Sequence, residues 1–83
     1  MRRRSYTGLD KEHSIMEVRR DGQIVVLDDV SRWVIQPGDS TKTVCWYPSQ
    51  RILVKENDSE IYPYRLKNLD TSSEEEVEAQ IAG

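Results

Sequence analysis

Short apolar runs, each closed by turn chemistry, constrain this chain more than any other feature. They read Ile24-Val25-Val26-Leu27, Trp33-Val34-Ile35, Val44-Cys45-Trp46-Tyr47, Ile52-Leu53-Val54 and Ile61-Tyr62-Pro63-Tyr64. Between them stand Asp28-Asp29, Pro37-Gly38-Asp39, Pro48-Ser49-Gln50 and Asn57-Asp58-Ser59. Strands at such close spacing predict an all-β fold, a small and mostly antiparallel barrel or roll of five or six strands. Its size matches SH3-like domains. With 83 residues, one domain is expected. A chain this short buries only about 60–65% of its unfolded surface. It has no Phe, so the core must come from Val, Ile and Leu with two Trp and four Tyr. Each of those aromatics can bury about 150–250 Å².

Local chemistry places the elements. Residues 1–14 lack apolar periodicity and are expected to form a mobile basic arm, leaving 15–83 as the folded domain. Ile15 to Arg20 is the first strand candidate, with Met16 and Val18 on one face. Asp21-Gly22 suits a type I′ turn, which needs positive φ at both central residues, so this strand should pair antiparallel with Gln23–Asp28. The Asp28–Ser31 turn carries Val30, and a β-branched residue resists positive φ. A type I turn or a bulge is therefore expected there. Arg32 to Gln36 alternates, with Trp33 and Ile35 inward. Pro37-Gly38-Asp39 ends it, and Asp39 or Ser40 should cap a short helical turn running to about Val44. Arg51 to Glu56 alternates with Ile52 and Val54 inward. In the next strand Pro63 denies the ladder one donor, which predicts an edge or a bulge. At the C-terminus Ser73-Glu74-Glu75-Glu76 fits a helix start. Val77, Ala79 and Ile81 alternate with Glu78 and Gln80, and a closing strand through Val77–Ile81 is preferred.

Part of this pattern resembles a family of small bacterial domains of unassigned function, SH3-like in size. They share D-G-x-x-V-x-L-x-D-G-S-x-W-x-V-x-P-x-D, then W-x-P, an alternating strand and L-x-N. The matching residues are Asp21, Gly22, Val25, Leu27, Asp29, Ser31, Trp33, Ile35, Pro37 and Asp39, continued by Trp46, Pro48, Ile52, Val54, Leu66 and Asn68. The likeness spans about Asp21 to Ile81. Val30 departs from it, standing where the pattern has Gly. The resemblance implies a shared barrel-like fold and carries no catalytic signature.

Charge is uneven along the chain. Residues 1–20 hold six basic and three acidic side chains, residues 21–55 four of each, and residues 56–83 two basic and eight acidic. Such asymmetry marks segments with partners of their own, or ends that attract each other. No apolar run reaches the ~18–20 residues of a membrane span, so no membrane partner is expected. A polar stretch follows Arg2-Arg3-Arg4 where a secretory signal would be apolar. The single cysteine, Cys45, allows no internal disulfide, which accords with a cytoplasmic protein and equally with a periplasmic one.

Candidate chemistry is sparse. The chain has no G-x-S-x-G, no Gly-rich phosphate loop and no H-E-x-x-H, and its only Cys–His pair would join Cys45 to His13 on the arm. Cys45 is expected to pack beside Trp46, and no catalytic residue is assigned. One His and one Cys cannot build a four-ligand zinc site, and Asp28-Asp29 read as solvated turn carboxylates. No metal and no cofactor is expected. The remaining resource is aromatic. Trp46, Tyr47, Tyr62 and Tyr64, flanked by Arg51, are expected to form a patch that docks a protein or peptide, with Arg51 anchoring an acid. Trp33 is expected in the core, and Trp46 either there or in the patch. A strand edge near Pro63 would permit self-association. The alternative is a single-stranded nucleic-acid binder, using Arg19, Arg20, Arg32, Arg51 and Lys55 with the same rings. A net charge of −3 weighs against it.

Overall fold

Residues 6–82 are described by a computed structural model. Six strands form in chain order: β1 (Glu12–Arg19), β2 (Ile24–Leu27), β3 (Arg32–Ile35), β4 (Arg51–Glu56), β5 (Tyr64–Asn68) and β6 (Glu76–Ile81). One short helix, α1 (Ser40–Thr43), follows β3. All pairings are antiparallel, and the strands close a barrel in the order β1-β2-β3-β6-β5-β4. Two three-stranded meanders, β1-β2-β3 and β4-β5-β6, thus meet along two seams, β1 with β4 and β3 with β6. Among the described residues, no helix is long and apolar enough to cross a membrane.

The turns follow their residues. At the β1–β2 hairpin, Asp21 (φ 54°) and Gly22 (φ 88°) are the central residues of a turn closed by the Gln23 amide donating to the Arg20 carbonyl at 3.1 Å. This is the type I′ geometry that Asp-Gly favours. Gly22 is also needed for space. A Cβ there would lie 2.6 Å from the Val44 amide nitrogen and 2.7 Å from the Ser40 carbonyl oxygen. At the β2–β3 hairpin, the Val30 amide donates to the Leu27 carbonyl and the Leu27 amide to the Ser31 carbonyl. Asp28 and Asp29 turn the chain, and Val30 takes the left-handed position at φ 59°. This is the three-residue hairpin loop with a bulge.

The expected face of β1 is corrected. Its register with β2 shifts between Ile15 and Glu17, so Met16 is a bulge residue and is 49% exposed. A bulge reverses the alternation beyond it. Ile15 is therefore buried and Val18 packs against the core, three positions apart. The strand also begins earlier than expected. Residues 12–14 pair with β4 and residues 15–19 with β2, so β1 joins the two meanders.

The expected arm over residues 1–14 therefore divides. Residues 1–5, including Arg2-Arg3-Arg4, lie outside the described residues. Tyr6 onward belongs to the barrel. The edge expected near Pro63 is also absent among the described residues: β5 starts just after that proline and is paired on both sides. The closing strand at Val77–Ile81 forms as β6.

Inside the barrel lie Ile15, Val25, Leu27, Trp33, Ile35, Ile52, Val54, Tyr64, Leu66, Val77 and Ala79. Strand directions place the β3–β4 connection, with α1 and Trp46, at one end. The β2–β3 hairpin lies at the other. At the first end Trp46 is buried, and its indole N–H donates to Glu75 Oε1 at 2.8 Å. The buried Thr43 hydroxyl donates to the Gly22 carbonyl, which ties α1 to the first hairpin. At the second end Trp33, Tyr64 and Tyr6 meet edge to face, with Tyr6–Trp33 centroids 4.9 Å apart and Trp33–Tyr64 centroids 5.2 Å apart. Such pairs add about 0.5–1.5 kcal/mol each beyond area burial.

Candidate functional site

The five residues expected to form a binding patch separate. Tyr64 is buried, which corrects its place in the patch, and Trp46 takes the core position of its two alternatives. A small domain without Phe needs its largest rings inside. Tyr47 is 62% exposed in the loop before β4, and Tyr62 is half-buried in the β4–β5 connection. Arg51 is engaged within the molecule. Its guanidinium donates to Asp70 Oδ1 from Nη2 at 2.8 Å and from Nε at 3.1 Å, and Glu12 lies 4.0 Å away. The bonds from Arg51 hold the Asp70 carboxyl below its ordinary value. The accessible aromatic surface is thus carried by Tyr47 and Tyr62.

Tyr62 contributes to a groove on the outside of the barrel. Ile24 on β2 and Val34 on β3 are registered partners whose side chains point outward, and Pro37 and Tyr62 complete an apolar wall. Arg20 and Gln23 supply the polar rim, and the space enclosed is about 340 Å³. The groove continues past Arg20 and Ile24 to Arg32, Arg19 and Ala82. Arg19 is paired with Glu17 at 2.8 Å. Arg20 and Arg32 are in no ion pair with another described residue. The floor is therefore apolar and the rim cationic. Its signal in the sequence is the unbroken run Ile24-Val25-Val26-Leu27, which puts apolar side chains on both faces of β2.

A second constellation lies at the end closed by Tyr6. Pairing of β1 with β2 brings His13 and Ser14 beside the Asp28-Asp29 turn. His13 Nδ1 is 3.2 Å from Asp28 Oδ1 and 3.9 Å from Asp29 Oδ2. His13 Nε2 is 3.0 Å from the Gly8 carbonyl oxygen. Tyr6 donates its hydroxyl hydrogen to Asp29 Oδ2, and the Trp33 indole donates to Ser31 Oγ at 2.8 Å. Ser31 in turn donates to Asp29 Oδ1 from its hydroxyl at 2.5 Å and its amide at 3.1 Å. Burial, the bond to Asp29 and the charges of Asp29 and Asp28 push the Tyr6 hydroxyl up to about 12. Burial alone would raise the Asp29 carboxyl, but bonds from Ser31 and Tyr6 and the charge of His13 outweigh it and hold the group below its ordinary value. Asp28 is likewise low: burial opposes, and bonds from Ser14 and His13 prevail.

No protein family, curated protein or solved structure matches this chain. What the structure shows is the architecture, a small six-stranded antiparallel barrel. The His13 constellation escapes sequence reasoning because residues 11–14 are polar and read as part of an arm. A polar strand leading into Ile15 was the available signal. Cys45 is exposed rather than packed, and the polar contacts of His13 go to Gly8, Tyr6, Asp28 and Asp29.

Proposed function

We propose that this chain is a non-catalytic recognition module that seats an extended, acidic segment of a partner protein in the groove across β2 and β3. The observation that carries this is the pairing of an apolar floor, Ile24 and Val34, with a rim of Arg20 and Arg32 that lack internal ion-pair partners among the described residues. Apolar contacts would supply affinity and the arginines orientation, since complementary charge sets encounter rate and register. Tyr62 remains in the recognition surface from the original aromatic set, while Tyr47 lines neither part of this groove. A non-catalytic role is supported by the separate engagement of the one histidine and by the absence of a nucleophile motif in the sequence. A nucleic-acid partner is less favoured. Both tryptophans are buried and so offer no stacking platform, and the chain is net acidic.

The test is an amide chemical-shift titration with a glutamate-rich peptide containing two or three aliphatic residues. Perturbations are expected at Ile24, Val34 and Tyr62, with affinity reduced several-fold in Arg32→Ala. Perturbations confined to other faces would refute the groove. Preferential binding of an oligonucleotide, with affinity falling steeply as salt rises, would reassign the partner class. Concentration-dependent dimerisation through the same residues would reassign the occupant to a second copy.

A further inference from the structure

The His13 constellation presents three lone-pair-bearing atoms to one point. His13, Asp28 and Asp29 each offer one ligand atom within 4.8 Å of the others, and the oxygens nearest Nδ1 are Asp28 Oδ1 and Asp29 Oδ2. The tautomer follows from an atom outside this trio. The Gly8 carbonyl oxygen, 3.0 Å from Nε2, can only accept, so Nε2 carries a hydrogen. In the neutral ring Nδ1 is then an unshared pair, directed at a carboxylate oxygen 3.2 Å away. Acceptors facing each other at that distance need a cation between them, either a proton or a metal ion.

The surroundings favour an ion. A histidine that ligates a metal usually donates its other ring N–H to a backbone carbonyl or carboxylate, which fixes its orientation, and His13 does this through Gly8. The far oxygens of both carboxylates are held by donors, Asp28 Oδ2 by the Ser14 hydroxyl at 3.3 Å and Asp29 Oδ1 by Ser31. The near oxygens face Nδ1, and Asp29 Oδ2 also accepts from the Tyr6 hydroxyl, which leaves it a second lone pair for an ion. No Lys or Arg among the described residues pairs with either aspartate, so beside a neutral imidazole the two carboxylates have no ion-pair partner. Tetrahedral coordination at about 2.0–2.1 Å requires ligand atoms roughly 3.3–3.4 Å apart. The separations of 3.2 and 3.9 Å from Nδ1 lie close to that. One imidazole nitrogen with two carboxylate oxygens suits zinc and its first-row neighbours better than magnesium or calcium. Asp28 and Asp29 are partly exposed, which leaves room for water to complete the shell.

We propose that His13 Nδ1, Asp28 and Asp29 form a three-ligand site for a divalent transition ion of the zinc class. The ion would tie β1 to the β2–β3 hairpin beside the Tyr6 segment, so binding would raise the thermal midpoint as zinc increases.

The test uses the full chain carrying Cys45→Ser, because the exposed thiol is a competing ligand. Zinc titration by calorimetry is expected to show one site, undisturbed by excess magnesium. In ¹⁵N spectra of the imidazole, zinc should move the His13 Nδ1 resonance while the Nε2–H signal persists. Asp28→Asn and Asp29→Asn should each weaken binding about tenfold or more. No saturable binding at millimolar zinc would overturn the site. So would zinc binding that leaves His13 Nδ1 unmoved, a result that needs no variant to fold. Affinity unchanged in both asparagine variants would do the same.

Discussion

Val30 occupies the conformation its side chain tolerates least. At φ 59° the β-branched residue completes the β2–β3 hairpin, yet it is 71% exposed and contributes nothing to the core. A left-handed conformation costs an L-residue about 1–2 kcal/mol, of which glycine recovers all but its greater chain entropy. Val30→Gly should therefore stabilise the protein by about 0.5–1 kcal/mol, read as a higher urea midpoint at unchanged slope. The bulge was legible in the sequence, but the left-handed φ was not, because the β-branched side chain argued against it. The close approach at Gly22 was not, because the atoms that crowd it come from Ser40 and Val44, far along the chain.

At the level of the element, Asn68 ends β5 and stitches three segments together. Fully buried, it donates from Nδ2 to Gln50 Oε1 at 2.9 Å and accepts from the Asp70 amide at Oδ1 at 2.9 Å. Asn68→Ala removes both bonds, but Gln50 Oε1 keeps the Tyr47 amide and Asp70 is exposed to water, so the change should cost about 1–2 kcal/mol in a denaturation experiment. The neighbouring Arg51–Asp70 pair is exposed and should matter far less. Most elements were legible because their turn residues act over two or three positions. Pro37-Gly38, Asn57-Asp58 and Asp21-Gly22 all stop strands where expected. The alternation of Val77, Ala79 and Ile81 outweighed the glutamate run because β6 is paired on both sides and must bury one face. The first half of β1 was hidden by its polarity. The face of its second half was misassigned because no residue type announces the bulge at Met16. Which aromatics lie inside is a property of the closed barrel, so Trp46 and Tyr64 could not be placed from their neighbours in sequence.

For the molecule as a whole, Tyr6 makes stability depend on alkaline pH. Its amide donates to the Tyr64 hydroxyl at 3.0 Å across 58 positions of chain, and its own hydroxyl is pushed from 10.0 to about 12. The fold thus favours the protonated phenol. That contribution is complete below pH 10 and is lost as pH rises through about 12. In Tyr6→Phe the loss over this interval should be smaller, and following unfolding midpoints of both proteins across it tests the assignment. The acid side has the opposite sign. Asp29 is held below its ordinary value of 3.8, so its contribution is present above that pH and disappears as pH falls.

Closure of the strands into a hoop has one more consequence. Each meander shields the other's inner face, and the seams between β1 and β4 and between β3 and β6 hold them together. Ile52 lies at the first seam and Trp33, Ile35 and Ala79 at the second, and all four belong to one core cluster. Seam amides should therefore exchange with deuterium as slowly as those between β4 and β5, and all should lose protection in a single step. Early exchange at one seam alone would mean that the hoop opens like a clasp.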